Sequence, residues 1–128
     1  MFYLAGMAGA GACSQAAAAS AEVFRRINPK RINIMTMTVF DDADLAADVA
    51  AGDFTPASEH EILAELRDFI AGLEGCTSLV EAWHDTNMVK FDGVLPRDRE
   101  KMTAYLDSRI ACMNEESMSR LRARMRSL

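Results

Sequence analysis

Short, evenly apolar runs alternate along the chain with longer segments whose apolar residues recur every three or four positions, a pattern that predicts strands and helices in turn. Residues 2–6 are the first apolar run, and they break into Gly6-Met7-Ala8-Gly9-Ala10-Gly11, as a strand does when it leaves a sheet into a tight loop. Residues 16–27 are rich in alanine and place Ala19, Val23, Phe24 and Ile27 on one helical face. That helix should stop at Asn28-Pro29, because proline disfavours helix in the residue before it. Residues 32–40 read Ile-Asn-Ile-Met-Thr-Met-Thr-Val-Phe, β-branched and mostly apolar, as expected for a buried strand of a parallel sheet.

The second half continues the alternation. Asp41 and Asp42 stand where they would cap a short helix carrying Leu45 and Val49, which Gly52 can close. Ser58-Glu59-His60-Glu61 has the form of a capping box, in which serine and glutamate reciprocally satisfy backbone donors at a helix start. After it, Ile62, Leu63, Leu66, Phe69, Ile70 and Leu73 make one broad apolar stripe. Residues 77–83 predict a third strand, and Pro96 opens a helix with Met102, Tyr105, Leu106, Ile110 and Met113 inward. Met118, Leu121, Met125 and Leu128 mark a last amphipathic stretch. The predicted fold class is α/β: a small, mostly parallel sheet of about three strands, helices packed on it through right-handed crossovers, and a helical C-terminus. At 128 residues the chain is one domain at most and falls short of the ~250 residues of a complete eight-unit barrel.

Composition narrows the partners. A formal net charge of −5 argues against nucleic acid. No stretch approaches the ~18 consecutive apolar residues of a membrane span, and no Lys or Arg precedes the first apolar residues, as a secretory leader would require. Cys13, Cys76 and Cys112 are widely spaced and odd in number, so free, buried thiols in a cytoplasmic protein are expected instead of a disulfide framework or a closed metal site.

Several segments, in order, carry a likeness to a known family: Tyr3-Leu4-Ala5-Gly6-Met7-Ala8-Gly9, Val23-Phe24-Arg25-Arg26-Ile27-Asn28-Pro29, Ile34-Met35-Thr36-Met37-Thr38 and Gly52-Asp53-Phe54. They are followed by the Ser58 to Glu61 box with Leu66-Arg67, then His84-Asp85-Thr86-Asn87 and Gly93-Val94-Leu95-Pro96-Arg97-Asp98-Arg99-Glu100. Together these resemble the later barrel units and C-terminal extension of a bacterial radical S-adenosylmethionine (radical SAM) family. The resemblance implies a partial (β/α) barrel fragment over residues 1–95 and a helical extension over residues 96–128. It also implies, for full-length relatives, S-adenosylmethionine and a [4Fe–4S] cluster held by three cysteines of an N-terminal CxxxCxxC loop. The chain has no such triad. On this reading Gly6, Gly9, Met35, Thr36 and Met37 would contact S-adenosylmethionine, while His84 and Asn87 would meet substrate. No catalytic or metal-ligating residue is assigned.

Each of these has a plainer reading. The glycines also suit a tight turn with no ligand, their spacing is reversed from the GxGxxG dinucleotide fingerprint, and His84 and Asn87 also suit a hydrogen-bonded loop. His60 lies in the first turn of a surface helix. Asp41, Asp42, Asp44 and Asp48 lack the glycine turn and terminal glutamate of a calcium loop. Arg120, Arg122, Arg124 and Arg126 alternate by two, which spreads them around a helix as a solvated face. The expected partner is the missing N-terminal barrel half or another subunit, with a homodimer as the soluble outcome of an open sheet edge. The alternative function is a non-catalytic α/β interaction module, or a subunit that completes a partner's barrel.

Overall fold

Strict alternation decides which way each strand faces. In the computed structural model, which describes residues 1–126, strand β1 (Phe2–Ala5) buries Tyr3 and Ala5 and leaves Phe2 and Leu4 exposed. Strand β2 (Arg31–Thr36) buries Ile32, Ile34 and Thr36 and turns Arg31, Asn33 and Met35 to the other side. The remaining elements are α1 (Cys13–Ile27), α2 (Asp44–Ala51), α3 (Glu59–Gly72), β3 (Leu79–Glu81), β4 (Asp92–Val94), α4 (Arg99–Cys112) and α5 (Glu115–Met125). They form a mixed α/β fold on an open sheet of order β1-β2-β3-β4. β1, β2 and β3 run parallel, and β4 returns antiparallel to β3.

The sheet thus has four strands where about three were expected. Asp-Gly-Val has neither length nor apolar alternation to announce a strand, so β4 exists through its pairing with β3. β2 stops at Thr36 instead of running to residue 40, and β3 covers only part of residues 77–83. After Thr36 the chain leaves the sheet and Thr38 becomes a side-chain hydrogen-bond partner of Arg122.

The core lies on one face of the sheet, filled by α1, α3 and α4. Tyr3 stacks on Phe69 with ring centroids 3.8 Å apart, and Phe24 meets both rings edge-on. Helix α1 turns toward this core through Cys13, Ala17, Ala21 and the expected Phe24, whereas the expected Ala19, Val23 and Ile27 are exposed. Close approach to α3 selects the small residues: a Cβ on Gly72 would lie 2.8 Å from that of Ala21. Asn28 then ends α1 in the left-handed conformation, and its Oδ1 accepts the N–H of Thr77.

Other helix starts divide cleanly. Ser58 and Glu61 form the expected capping box on α3. Ala43, not Asp41 or Asp42, is the N-cap of α2, with no side-chain cap. Pro96 does not open α4: it follows a cis peptide bond in the turn before the helix, which begins at Arg99. There Asp98, at the cap position, accepts the N–H of Val94 behind it and caps no helical donor. Met102 and Leu106 are buried as expected, while Leu121 is exposed and Leu128 lies outside the described residues.

Leu66 is 1% exposed at the centre of the core. Leu66→Ala should therefore destabilise the domain by about 2–5 kcal/mol, read as a lowered midpoint in a denaturant titration. A loss below about 0.5 kcal/mol would contradict this packing.

Candidate functional site

The segments leaving the C-terminal ends of β1, β2 and β3 converge, and open α/β sheets present binding groups at those ends. Three of the sequence candidates meet here. Thr36 donates its hydroxyl to Asn87 Oδ1 at 2.9 Å, and Asn87 Nδ2 donates to the Ile34 carbonyl at 2.8 Å, so a buried Asn87 ties the loop after β3 to the end of β2. The Thr36 N–H donates to Thr86 Oγ1, and that hydroxyl lies 2.8 Å from His84 Nδ1. Nδ1 also faces the Thr86 N–H, so it is the acceptor nitrogen and the neutral ring carries its proton on Nε2. His84 is exposed, and this bracing fixes the plane in which Nε2 is presented.

Above this loop sits a buried ion pair. Arg122 of α5 donates from Nε and Nη2 to the two carboxylate oxygens of Glu59 at 2.7 and 2.9 Å. Its Nη1 reaches Thr38 Oγ1 at 3.0 Å and the Thr86 carbonyl at 2.6 Å. The two side chains are 7% and 5% exposed, so Arg122 is no part of a solvated basic face. A planar guanidinium with bidentate and lateral acceptors is the geometry in which a buried charge is satisfied. Glu115, at the start of α5, accepts the N–H groups of Glu59 and His60, each at 2.8 Å, and neutralises the first turn of α3. Beneath α5 a small cavity of about 90 Å³ is lined by Gly6, Met37 and Val39 on the strand side, by Ile62 of α3, by Ser119 and Arg122 of α5 and by Arg126 just after it.

The glycine loop after β1 is held by two further carboxylates of α3. Glu65, fully buried, accepts the Tyr3 hydroxyl at 2.6 Å and the Gly6 N–H at 2.9 Å. Glu61 accepts the Gly11 N–H at 2.7 Å, and the N–H groups of Ser58 and then Gly11 hold its carboxyl below the ordinary value. Gly9 has φ +78°, and a Cβ there would lie 2.9 Å from the Thr55 carbonyl oxygen. Close backbone approach within the chain therefore explains that glycine. The N–H groups of Gly6, Gly9, Thr36 and Met37 are all engaged internally.

Met35 and His84 belong also to the opposite face of the sheet. With Phe2, Asn33, Glu81 and Trp83 they line an open groove of about 230 Å³. Phe2 is 72% and Trp83 59% exposed, so a band of large apolar side chains lies uncovered beside polar ones. Among the described residues no three His, Cys, Asp or Glu side chains group as metal ligands, and the cysteines do not converge: Cys13 and Cys76 are buried, Cys112 exposed. The donor set does not fit a [4Fe–4S] cluster. No described helix is long and apolar enough to cross a membrane.

Glu59, Glu65, Glu115, Thr38 and Thr86 were assigned no site role from the sequence, and Arg122 was read as part of a solvated face. Two carried a signal: Glu65 interrupts the Ile62 to Phe69 stripe on its inner side, and Arg122 stands between Met118 and Met125 on one helical face. Comparison with family models, with curated proteins and with solved structures finds no match for this chain.

Burial, and then Glu65, pushes the Tyr3 hydroxyl above its ordinary range and the Cys13 thiol up to about 12. The unfolded chain ionises these groups near pH 10 and about 8.5, whereas the native chain keeps both protons. Stability should thus be unaffected by these groups below about pH 8.5 and fall as pH rises beyond it. Urea titrations at stepped pH check this: Tyr3→Phe combined with Cys13→Ala should flatten the alkaline decline. An unchanged slope would mean that both groups ionise freely in the native state.

Proposed function

We propose that this chain is the C-terminal portion of a radical SAM enzyme, a barrel fragment that supplies strands beside S-adenosylmethionine and depends on an N-terminal half for the cluster. The observation that carries the proposal is the one-sidedness of the sheet. Helices cover one face, the other bears Phe2, Leu4, Met35 and Trp83, and β1, first in sequence, stands at a free edge. That is the form of terminal barrel units whose lumen face and first edge await earlier parallel strands. The ordered segments that resemble the family support the same reading.

On this proposal S-adenosylmethionine, when bound, supplies the adenosyl radical chemistry together with a cluster held by the missing half. This chain's share is positioning. Met35, Phe2 and Trp83 offer apolar walls, Asn33 and His84 offer polar groups, and the Thr36–Asn87 pair keeps the β2 end and the His84 loop in one register. Gly6, Gly9, Thr36 and Met37 serve through backbone shape, since their N–H donors are engaged within the chain.

The same engagement favours a second reading, a non-catalytic α/β module that uses the open face to bind another subunit. The coding sequence upstream separates the two. The first reading expects a CxxxCxxC segment there; co-produced with it and reconstituted anaerobically with iron and sulfide, the chain should join a species holding a stoichiometric [4Fe–4S] cluster that forms 5′-deoxyadenosine. Alone, the chain should do neither. An upstream sequence without the triad, or a co-produced species without cluster, would leave the interaction module as the better account.

A further inference from the structure

Helix α5 is attached to the domain in an unusual way. Its one buried residue is an arginine; beside it, the exposed Glu115 and Ser119 line the cavity together with Arg126 just past the helix end, and Met118 is its apolar contact on the core. The apolar stripe of α3, by contrast, places Ile62, Leu63, Leu66, Phe69 and Ile70 in the core. The polar attachments of α5 are concentrated at two points. Glu115 binds the first turn of α3, and Arg122 binds Glu59, Thr38 and the Thr86 carbonyl, drawing in the segments that follow β2 and β3.

We infer that α5 is a latched strap: a helix that lies over the C-terminal ends of the strands, is locked by the Arg122–Glu59 pair, and can release as a unit without unfolding the sheet and its three core helices. Apolar burial is what makes a segment open only with the whole domain, and α5 contributes little of it. Its polar contacts, unlike buried apolar ones, are replaced by water once it swings away. Release uncovers the Gly6, Met37 and Val39 cavity and hydrates Glu59, which gives the strand ends a closed and an open state. The inference stands whether or not the chain completes a barrel.

Native-state hydrogen exchange of the full chain tests it, with the amides of residues 115–125 compared with those of α3 at increasing denaturant. The strap predicts that α5 exchanges through an opening insensitive to denaturant and on the order of tenfold or more faster than the interior of α3. Arg122→Met should accelerate α5 exchange further and leave α3 protection intact. In a second measurement, Val39→Cys at the cavity wall should react with a maleimide faster in the Arg122→Met background than in the otherwise unchanged chain. Because Arg122→Met leaves the buried Glu59 without its partner, Arg122→Met combined with Glu59→Gln in the full chain is the second variant, and it should likewise speed α5 exchange while α3 keeps its protection. Exchange of α5 and α3 through one common opening in the full chain, or loss of α3 protection in the doubly substituted chain, would overturn the inference.

Discussion

Everything on the strand-end side of this domain depends on the carboxylate of Glu65. It is fully buried, placed in the middle of an apolar helix face, and satisfied by one hydroxyl and one backbone N–H from β1 and its loop. A buried carboxyl group without hydrogen-bond partners is costly, so α3 seats its stripe on the sheet in the register that brings Tyr3 and Gly6 to Glu65. That register stacks Tyr3 on Phe69 and sets Gly6 at the top of β1. Glu61, one turn earlier on α3, then meets Gly11, and Glu59 meets Arg122. Three carboxylates along one helix thereby fix the glycine loop and the C-terminal helix relative to the strands.

Much of the fold was legible because it rests on periodicity. The β1-α1-β2 order, the Leu66 stripe and the Met102 and Leu106 positions follow from apolar spacing, the loop after β1 from its glycines, and the capping box from the Ser58 and Glu61 pattern. What was not legible rests on pairing between distant residues. β4 has three residues and no pattern of its own; the inward face of α1 was selected by the closeness of Gly72, which favours Ala17 and Ala21 over the larger Val23 and Ile27. Pro96 suits a helix start by propensity, yet it lies in the turn, where Asp98 reaches back to Val94. In the candidate site, His84 and Asn87 were placed just after the third strand by position in the chain, and Thr36, named through the resemblance and expected in mid-strand, ends β2 and bonds Asn87 directly and His84 through Thr86. Arg122 was hidden by its neighbours, since four alternating arginines read as solvated and only one of them finds a buried carboxylate.

The two faces of the sheet differ in kind. One is sealed by α1, α3 and α4 with aromatic and branched side chains; the other carries Phe2, Leu4, Met35 and Trp83 alongside the exposed Arg31–Glu81 pair, which contributes at most about 1 kcal/mol. Parallel strands are ordinarily covered on both faces. On the proposed reading, the bare face and the β1 edge are the surface that another part of a barrel or another subunit would cover. The braced His84 stands at the rim of that surface, joining it to the network beneath α5.

Sedimentation velocity of the purified chain in the presence of an environment-sensitive hydrophobic dye tests the uncovered face most directly. The account predicts concentration-dependent association, with a homodimer as the first species, or a monomer that binds dye, and in either case a loss of the effect on Phe2→Ser combined with Trp83→Ser. A strictly monomeric chain at high concentration that binds no dye would contradict it, because the sheet would then need no covering at all.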